Sequence, residues 1–190
     1  MAVHLTGDPA ADALLSENPL ALLIGMLLDQ QVPMETAFAG PAKIRERVGS
    51  LDPAVLAGLD PDAFAAVFAA TPAVHRFPAA MAARTQKLCG QILGQWGGEA
   101  AAIWTRDAPD GAEVTRRLGA LPGFGPQKAR IFLALLGKQC GVAPAGWREA
   151  SAPYGDPGSF RSVADVTDAA SLARVRESKR AAKAAARSGA

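Results

Sequence analysis

The sequence is poor in the residues from which metal sites, disulfide frameworks and aromatic cores are built. Its 190 residues include 2 cysteines, 2 histidines and 1 tyrosine, and aromatic residues make up 6% of the chain. Two cysteines, Cys89 and Cys140, are too few for a four-cysteine zinc or iron–sulfur site, and we expect both to be reduced and packed. With only His4 and His75 to add, we expect no metal centre and no cofactor.

Long apolar runs are also missing. The longest strongly apolar run, Leu20 to Leu28, is shorter than the roughly 20 residues that a transmembrane helix needs. The first residues, M-A-V-H-L-T-G-D-P, lack the basic and apolar segments of a secretion signal. These absences predict a soluble, cytoplasmic protein with no membrane partner. The composition also excludes a disordered acidic chain and a collagen-like repeat.

Charge is nearly balanced in total but uneven along the chain. The formal net charge is +2, yet residues 1–75 hold 3 Lys/Arg against 9 Asp/Glu. Residues 76–161 hold 11 against 6, and residues 162–190 hold 6 against 3. The later part of the chain could therefore present a basic face to phosphate groups, although an unevenly charged solvated surface would give the same pattern.

Helix signals are what the sequence has in abundance. Alanine accounts for 42 residues, and cap residues followed by proline recur at Asn18, Asp52 and Asp60. No β-branched run alternates with polar residues, so we predict an all-α fold. The first expected helix is buried and covers residues 20–28. Short helices are expected near residue 55, at 64–68 and at Trp147–Ala150. Longer helices are expected at Pro78 to Trp96, Asp110 to Gly119 and Gly125 to Lys138, and a last helix from Asp168 onward.

Composition divides the chain into three parts. Residues 1–17 form an N-terminal segment, residues 18–140 form the main helical domain, and residues 141–190 combine a Gly/Pro-rich connection with a basic helix. That last helix has only Leu172 and Val175 to bury. It is therefore expected to lie on the surface, either following a DNA backbone or serving as a solubilising tail.

The most informative stretch is L-P-G-F-G-P-Q-K-A, Leu121 to Ala129, between two predicted helices. Gly123 and Gly125 permit backbone angles that side chains forbid, so this turn can be very tight. The alternative interpretation is an ordinary helix–turn–helix corner in the core.

A tight turn at this place would expose backbone donors. The amides near Phe124, Gly125 and Gln127 would point outward at the start of a helix, where the helix dipole favours an anion such as a phosphate. Lys128 and Arg130 would add positive charge just inside that helix. The stretch therefore predicts a phosphate-binding hairpin.

Together with I-G-M-L-L-D-Q-Q at Ile24 to Gln31, the hairpin resembles the helix-hairpin-helix (HhH-GPD) superfamily of base-excision DNA glycosylases, of the endonuclease III type. The hairpin of that family typically reads L-P-G-hydrophobic-G, and its early helix ends in a segment like I-L-x-Q-Q. The resemblance covers roughly residues 18–140. It implies two helical lobes around a DNA-binding cleft, and a monomer whose partner is duplex DNA with a damaged or mismatched base.

The resemblance also implies roles for individual residues. The amides of Gly123, Phe124 and Gly125 would hold a backbone phosphate. Gln30 or Gln31 would fill the gap left by a base that has been flipped out of the duplex, as it must be for its glycosidic bond to be reached. Capping of a helix end is the alternative role for these two glutamines.

Two departures from the family pattern affect the expected chemistry. Bifunctional relatives have a catalytic lysine where this chain has Gln127. Lys128 follows one position later, about 100 degrees round the helix, so we expect it to point away from the cleft and to contact phosphate or solvent. The catalytic aspartate of the family falls at Ala145, which carries no acid.

Two carboxylates are candidates to replace that aspartate. Glu149 lies one turn after Ala145, and Asp29, next to the glutamines, could reach the cleft from its opposite wall. Asp156, Asp165 and Asp168 follow in the departing segment and could fold back. A surface or capping role is the alternative for each of these acids.

These observations favour a monofunctional DNA N-glycosylase without lyase activity. It would hydrolyse the N-glycosidic bond of uracil or of an alkylated or deaminated purine in duplex DNA. A second hypothesis is a non-catalytic DNA-binding protein that has lost the catalytic aspartate. A third is a helical scaffold that contacts a protein partner around Trp147 and Tyr154.

Overall fold

A computed structural model describes residues 3–188, which form helices and loops and include no strand. The all-α prediction is confirmed. The helices are α1 (Pro9–Glu17), α2 (Pro19–Leu28), α3 (Met34–Val48), α4 (Pro53–Gly58), α5 (Pro61–Ala69), α6 (Pro78–Trp96), α7 (Ala102–Thr105), α8 (Gly111–Gly119), α9 (Pro126–Gln139), α10 (Trp147–Ala150) and α11 (Ala169–Ser188), with a 3₁₀ turn at Val163–Asp165.

The predicted cap-and-proline starts are confirmed. The side chains of Asn18, Asp52 and Asp60 accept hydrogen bonds from backbone N–H groups in the first turns of α2, α4 and α5, where proline occupies the first position. Helix α6 spans the predicted Pro78–Trp96 and ends at Gly97 in a left-handed conformation. Local capping chemistry therefore sets the starts of α2, α4 and α5 and the end of α6.

Three helices were not predicted from the sequence: α1, α3 and the short α7. Helix α1 lies in the N-terminal segment, where Asp8 caps it and proline follows, the same signal that marks α2. Helix α3 begins after Pro33 without a side-chain cap and carries Pro41 in its interior. Its buried face against α2, rather than a local start signal, explains why this segment is helical.

Extensive helix–helix contacts among the described residues fall into two sets, α1–α6 and α7–α11. Their buried side chains join in one hydrophobic cluster, and all residues from Leu20 to Leu28 of α2 are buried in it. Helix α2 therefore lies in the core, and its C-terminal end reaches the hairpin between α8 and α9.

Helix α10 fixes the two helices of the hairpin to each other. The indole of Trp147 lies directly on Gly137 of α9, where a Cβ atom would have no room, and the backbone of Trp147 lies against Gly111 of α8. Trp147 therefore packs within the hairpin. It is not available as a contact for the protein partner that the scaffold hypothesis requires.

Helix α11 lies against the body with one narrow face, as predicted. Val175 is buried and Leu172 is half-buried, and Arg176 forms an ion pair with Glu35 of α3.

Cys89 and Cys140 are free thiols. In residues 3–188 no single helix is long and apolar enough to span a membrane; α1 and α2 reach that length together only across a 114° bend.

Candidate active site

A cavity of about 520 Å³ lies between the C-terminal end of α2 and the N-terminal end of α9. It is closed on the other side by the loop after α10 and by α11, so residues more than 150 positions apart share it. Its lining residues are Met26, Asp29, Gln30, Gln31, Gln127, Lys128, Ile131, Pro153, Tyr154, Arg161, Ser178, Lys179 and Ala182.

The glutamine segment is held by side chains of α6 and of the loop before it. The Gln30 amide donates to the Leu27 carbonyl at 2.8 Å and accepts from the Arg84 guanidinium at 3.0 Å. Gln31 is exposed and has a left-handed backbone with φ of 57°, a conformation uncommon for a residue with a side chain. Gln30 therefore caps α2, and Gln31 is presented to solvent.

His75 orders the backbone of this segment. It is 1% exposed, and its Nδ1 accepts from the Phe77 N–H at 3.1 Å. Because a neutral imidazole has one donor and one acceptor, Nε2 donates to the Gln30 carbonyl, 3.0 Å away. This interaction also places Phe77, 41% exposed, next to the glutamines.

The hairpin is as tight as predicted, but one of its amides is already used. Gly123 has a φ of 78° and lies against Leu27 of α2. The Phe124 N–H donates to the Leu121 carbonyl at 3.0 Å, and the Phe124 ring is buried 6.0 Å from the Phe132 ring. The expectation that the Phe124 amide points outward is therefore wrong.

The remaining donors of the hairpin stay available. The N–H groups of Gly125, Gln127 and Lys128 begin α9, and no group in the described residues accepts a hydrogen bond from them. A helix start with three unpaired N–H groups attracts an anion. Arg130 lies outside the cavity and donates to the carbonyls of Pro126 and Ala152, which ties the loop after α10 to α9.

Lys128 lies in the cavity, which corrects the expectation that it points away. Its Nζ donates to the carbonyls of Met26 and Leu27 at 2.8 and 2.9 Å. A lysine at a helix start extends back past the N-terminus, and here the negative end of the α2 dipole attracts its ammonium group. Burial lowers the pKa of Lys128 to about 8, although nearby Asp29 opposes the shift.

Asp29 is the carboxylate of this cavity. It caps the C-terminal end of α2, with its N–H donating to the Gly25 carbonyl. Burial raises the pKa of the Asp29 carboxyl above its usual value, and the positive charges of Lys179 and Lys128 oppose that effect. Asp29 therefore lies between one cation from α9 and another from α11.

The other candidate acids lie elsewhere. Glu149 is exposed on α10 and is not a lining residue of the cavity. Asp165 is buried in an ion pair with Lys138 at 2.6 Å, and Asp168 caps α11. The Ala145 carbonyl accepts from the Gly111 N–H at 2.7 Å, so the segment around Ala145, where the resemblance would place an aspartate, packs against α8.

Tyr154, Arg161 and Lys179 complete the cavity. Arg161 and Lys179 were not predicted as site residues, and Tyr154 was predicted only as a contact with a protein partner. The Gln127 amide donates to the Tyr154 hydroxyl at 3.0 Å, which joins the loop after α10 to the start of α9. Tyr154 is the one tyrosine of the chain and lies in the Gly/Pro-rich connection. That rarity was the only sequence signal that pointed to it.

A larger cavity of about 1060 Å³ lies between residues 3–17 and the start of α11. Three of its four carboxylates have partners: Asp12 accepts from the N–H groups of Leu5 and Thr6, Glu35 pairs with Arg176, and Asp168 caps α11. This larger cavity therefore offers fewer reactive groups than the cavity around Asp29.

No protein-family model matches the chain, and no curated protein matches it. The geometry of the cavity around Asp29 is therefore the basis on which a function can be inferred.

Proposed function

We propose that the protein is a monofunctional DNA N-glycosylase of base-excision repair, which hydrolyses the N-glycosidic bond of a damaged base in duplex DNA. One observation carries this proposal. A single cavity is lined by Asp29, by the glutamine segment and by the start of α9, where N–H groups have no acceptor among the described residues, so it combines parts of the chain about a hundred residues apart.

Asp29 supplies the chemistry in this proposal. As the bond between the base and C1′ breaks, its electron pair leaves with the base and positive charge develops on the sugar. The Asp29 carboxylate stabilises that charge and accepts a proton from the attacking water, whose oxygen bonds to C1′. Lys128 and Lys179 favour the ionised carboxylate that both roles require.

The surface around the cavity supports DNA binding. The N–H groups of Gly125, Gln127 and Lys128 are suited to a backbone phosphate. Gln31 lines the cavity, and the exposed Phe77 is linked to the neighbouring Gln30 through His75, with Arg76 stacked on the Phe77 ring at 4.8 Å. Apolar and amide side chains in such positions commonly enter the base stack of a deformed duplex.

The position of Lys128 supports hydrolysis by water rather than strand cleavage through a Schiff base. Two of the three hydrogens of its ammonium group are directed to the Met26 and Leu27 carbonyls. A covalent adduct would have to break both bonds. Strand cleavage without added alkali, with an adduct trapped by borohydride, would overturn this part of the proposal.

The test is base release from duplexes that contain uracil, hypoxanthine or a methylated purine, followed by alkaline cleavage of the resulting abasic site. We expect Asp29→Asn to lower the rate at least about 100-fold, as for loss of a key electrostatic group in other enzymes. The control Glu149→Gln should keep the wild-type rate. Full activity of Asp29→Asn would refute the assignment of Asp29.

A second candidate function is non-catalytic DNA binding. It is favoured by Ala145, because the segment at the family's aspartate position carries no acid and packs against α8. In that case no lesion is released. Duplex binding would nevertheless persist and weaken steeply as salt increases, because phosphate contacts release counterions.

A further inference from the structure

The cavity around Asp29 has an excess of positive charge. Lys128, Lys179 and Arg161 line it, against the single carboxylate of Asp29 among its described lining residues. Arg84 lies close enough to lower the pKa of Lys128 as a neighbouring cation. The nearby carboxylate of Glu35 is already paired with Arg176.

The helix ends do not remove this excess. Helix α9 begins at the cavity with its positive end, and helix α2 ends there with its negative end, so the two dipole contributions have opposite signs. Lys128 occupies the negative end of α2. The charges of Lys179 and Arg161, from α11 and from the loop before it, therefore dominate the outer part of the cavity.

Damaged bases differ in the charge that they bring into such a cavity. Uracil and hypoxanthine are neutral in DNA and depart as anions, because the electron pair of the broken bond remains on the base until a proton from water neutralises it. N-alkylated purines such as 7-methylguanine are cations in DNA and depart as neutral molecules. A positive cavity stabilises the departing anion of the first class and repels the bound form of the second.

We propose that the cavity selects neutral, deaminated bases that leave as anions, of the uracil and hypoxanthine type, and discriminates against cationic alkylated purines through Lys179 and Arg161. This inference rests on the proposed glycosylase function and narrows its substrate class. Tyr154, the one aromatic side chain among the described lining residues, offers a surface on which either class of base can stack. Charge rather than stacking therefore provides the discrimination.

The experiment compares single-turnover release of uracil and hypoxanthine with that of 7-methylguanine, each as the acceleration over spontaneous loss of the same base. The wild-type protein should accelerate loss of uracil and hypoxanthine at least tenfold more than it accelerates loss of 7-methylguanine. Lys179→Glu should shift this ratio towards 7-methylguanine by roughly tenfold, because it changes the cavity by two charge units. Lys179→Gln should give a smaller shift in the same direction.

Arg45→Glu is the matched control, because exposed Arg45 lines a different cavity with Asp52 and Glu99. It should leave the ratio unchanged. Two results would overturn the charge selection while leaving the glycosylase function in place. One is an equal or greater acceleration for 7-methylguanine in the wild-type protein. The other is an unchanged ratio of accelerations in Lys179→Glu.

A binding measurement separates this inference from the failure of catalysis. Duplexes with 2′-fluoro analogues of deoxyuridine and of 7-methyldeoxyguanosine resist hydrolysis, so their affinities can be compared without base release. Tighter binding of the neutral analogue, reduced in Lys179→Glu, supports charge selection even if no base is released. Equal affinities in a protein that releases no base would refute both proposals.

Discussion

The two walls of the cavity are built by different means. The inner wall, formed by the end of α2 and the start of α9, is held by Lys128 on two backbone carbonyls and by His75 on a third. The outer wall, formed by residues 153–161 and α11, is held mainly by exposed contacts: the Gln127–Tyr154 bond, Arg130 and the Arg176–Glu35 ion pair. Lys138 adds bonds to the Asp156 carbonyl and the Ser159 hydroxyl.

Because of this difference, the inner wall contributes more to the stability of the fold, and the outer wall is the part that is free to serve ligand recognition. Polar groups that are partly buried cost free energy when they lose a partner, whereas exposed pairs contribute little because water and salt replace them. The inner wall therefore keeps Asp29 and the hairpin in one arrangement. The exposed contacts of the outer wall can change at smaller cost to folding.

The largest expected effect comes from breaking the inner wall. Lys128→Met leaves the Met26 carbonyl without its donor and should lower the free energy of unfolding by about 1–3 kcal/mol. Urea denaturation at neutral pH measures it. Lys87→Met, on the exposed face of α6, is the control and should change little. Equal stabilities of the two variants would show that the inner wall does not depend on Lys128.

A smaller effect is expected from the outer wall, and in a different measurement. Stacking of a base on an aromatic ring contributes about 1–3 kcal/mol. Tyr154→Leu should therefore weaken binding of a duplex with 2′-fluorodeoxyuridine roughly tenfold, while urea denaturation stays close to wild type. Tyr154→Phe keeps the ring and loses only the bond from Gln127, so it should bind almost normally. Similar losses in both variants would argue against stacking.

A third expected effect is a dependence of stability on pH. The pKa of Lys128 is lowered to about 8 in the folded protein from its usual 10.5, so between these values the unfolded chain holds more protons. Raising the pH through this window therefore stabilises the folded state. Denaturation at pH 7, 8.5 and 10 should show wild type gaining stability relative to Lys128→Met. A constant difference would contradict the burial of this ammonium group.

The contrast between the inner and outer walls also explains how much of the site could be predicted from the sequence. Helix starts, the hairpin and the approach of Asp29 to it follow from local signals, such as Asn18-Pro19 and the two hairpin glycines, combined with the family resemblance. The outer wall carries no periodic pattern, so Tyr154 and Arg161 gave no comparable signal. The predicted direction of Lys128 was wrong because the helical rotation of about 100 degrees per residue fixes only the direction of the Cβ atom. The long side chain beyond Cβ can bend, and its ammonium group is attracted to the negative end of α2.

The hydrogen bonds of Lys128 also have a consequence for the order of folding. They join residues 101 and 102 positions apart, and contacts of such large sequence separation form slowly because a long loop must close first. Most of α1–α6 can pack before the hairpin arrives. The cavity around Asp29 therefore forms late, and a nascent chain that ends before α9 carries Asp29 without the lysine that fixes its surroundings.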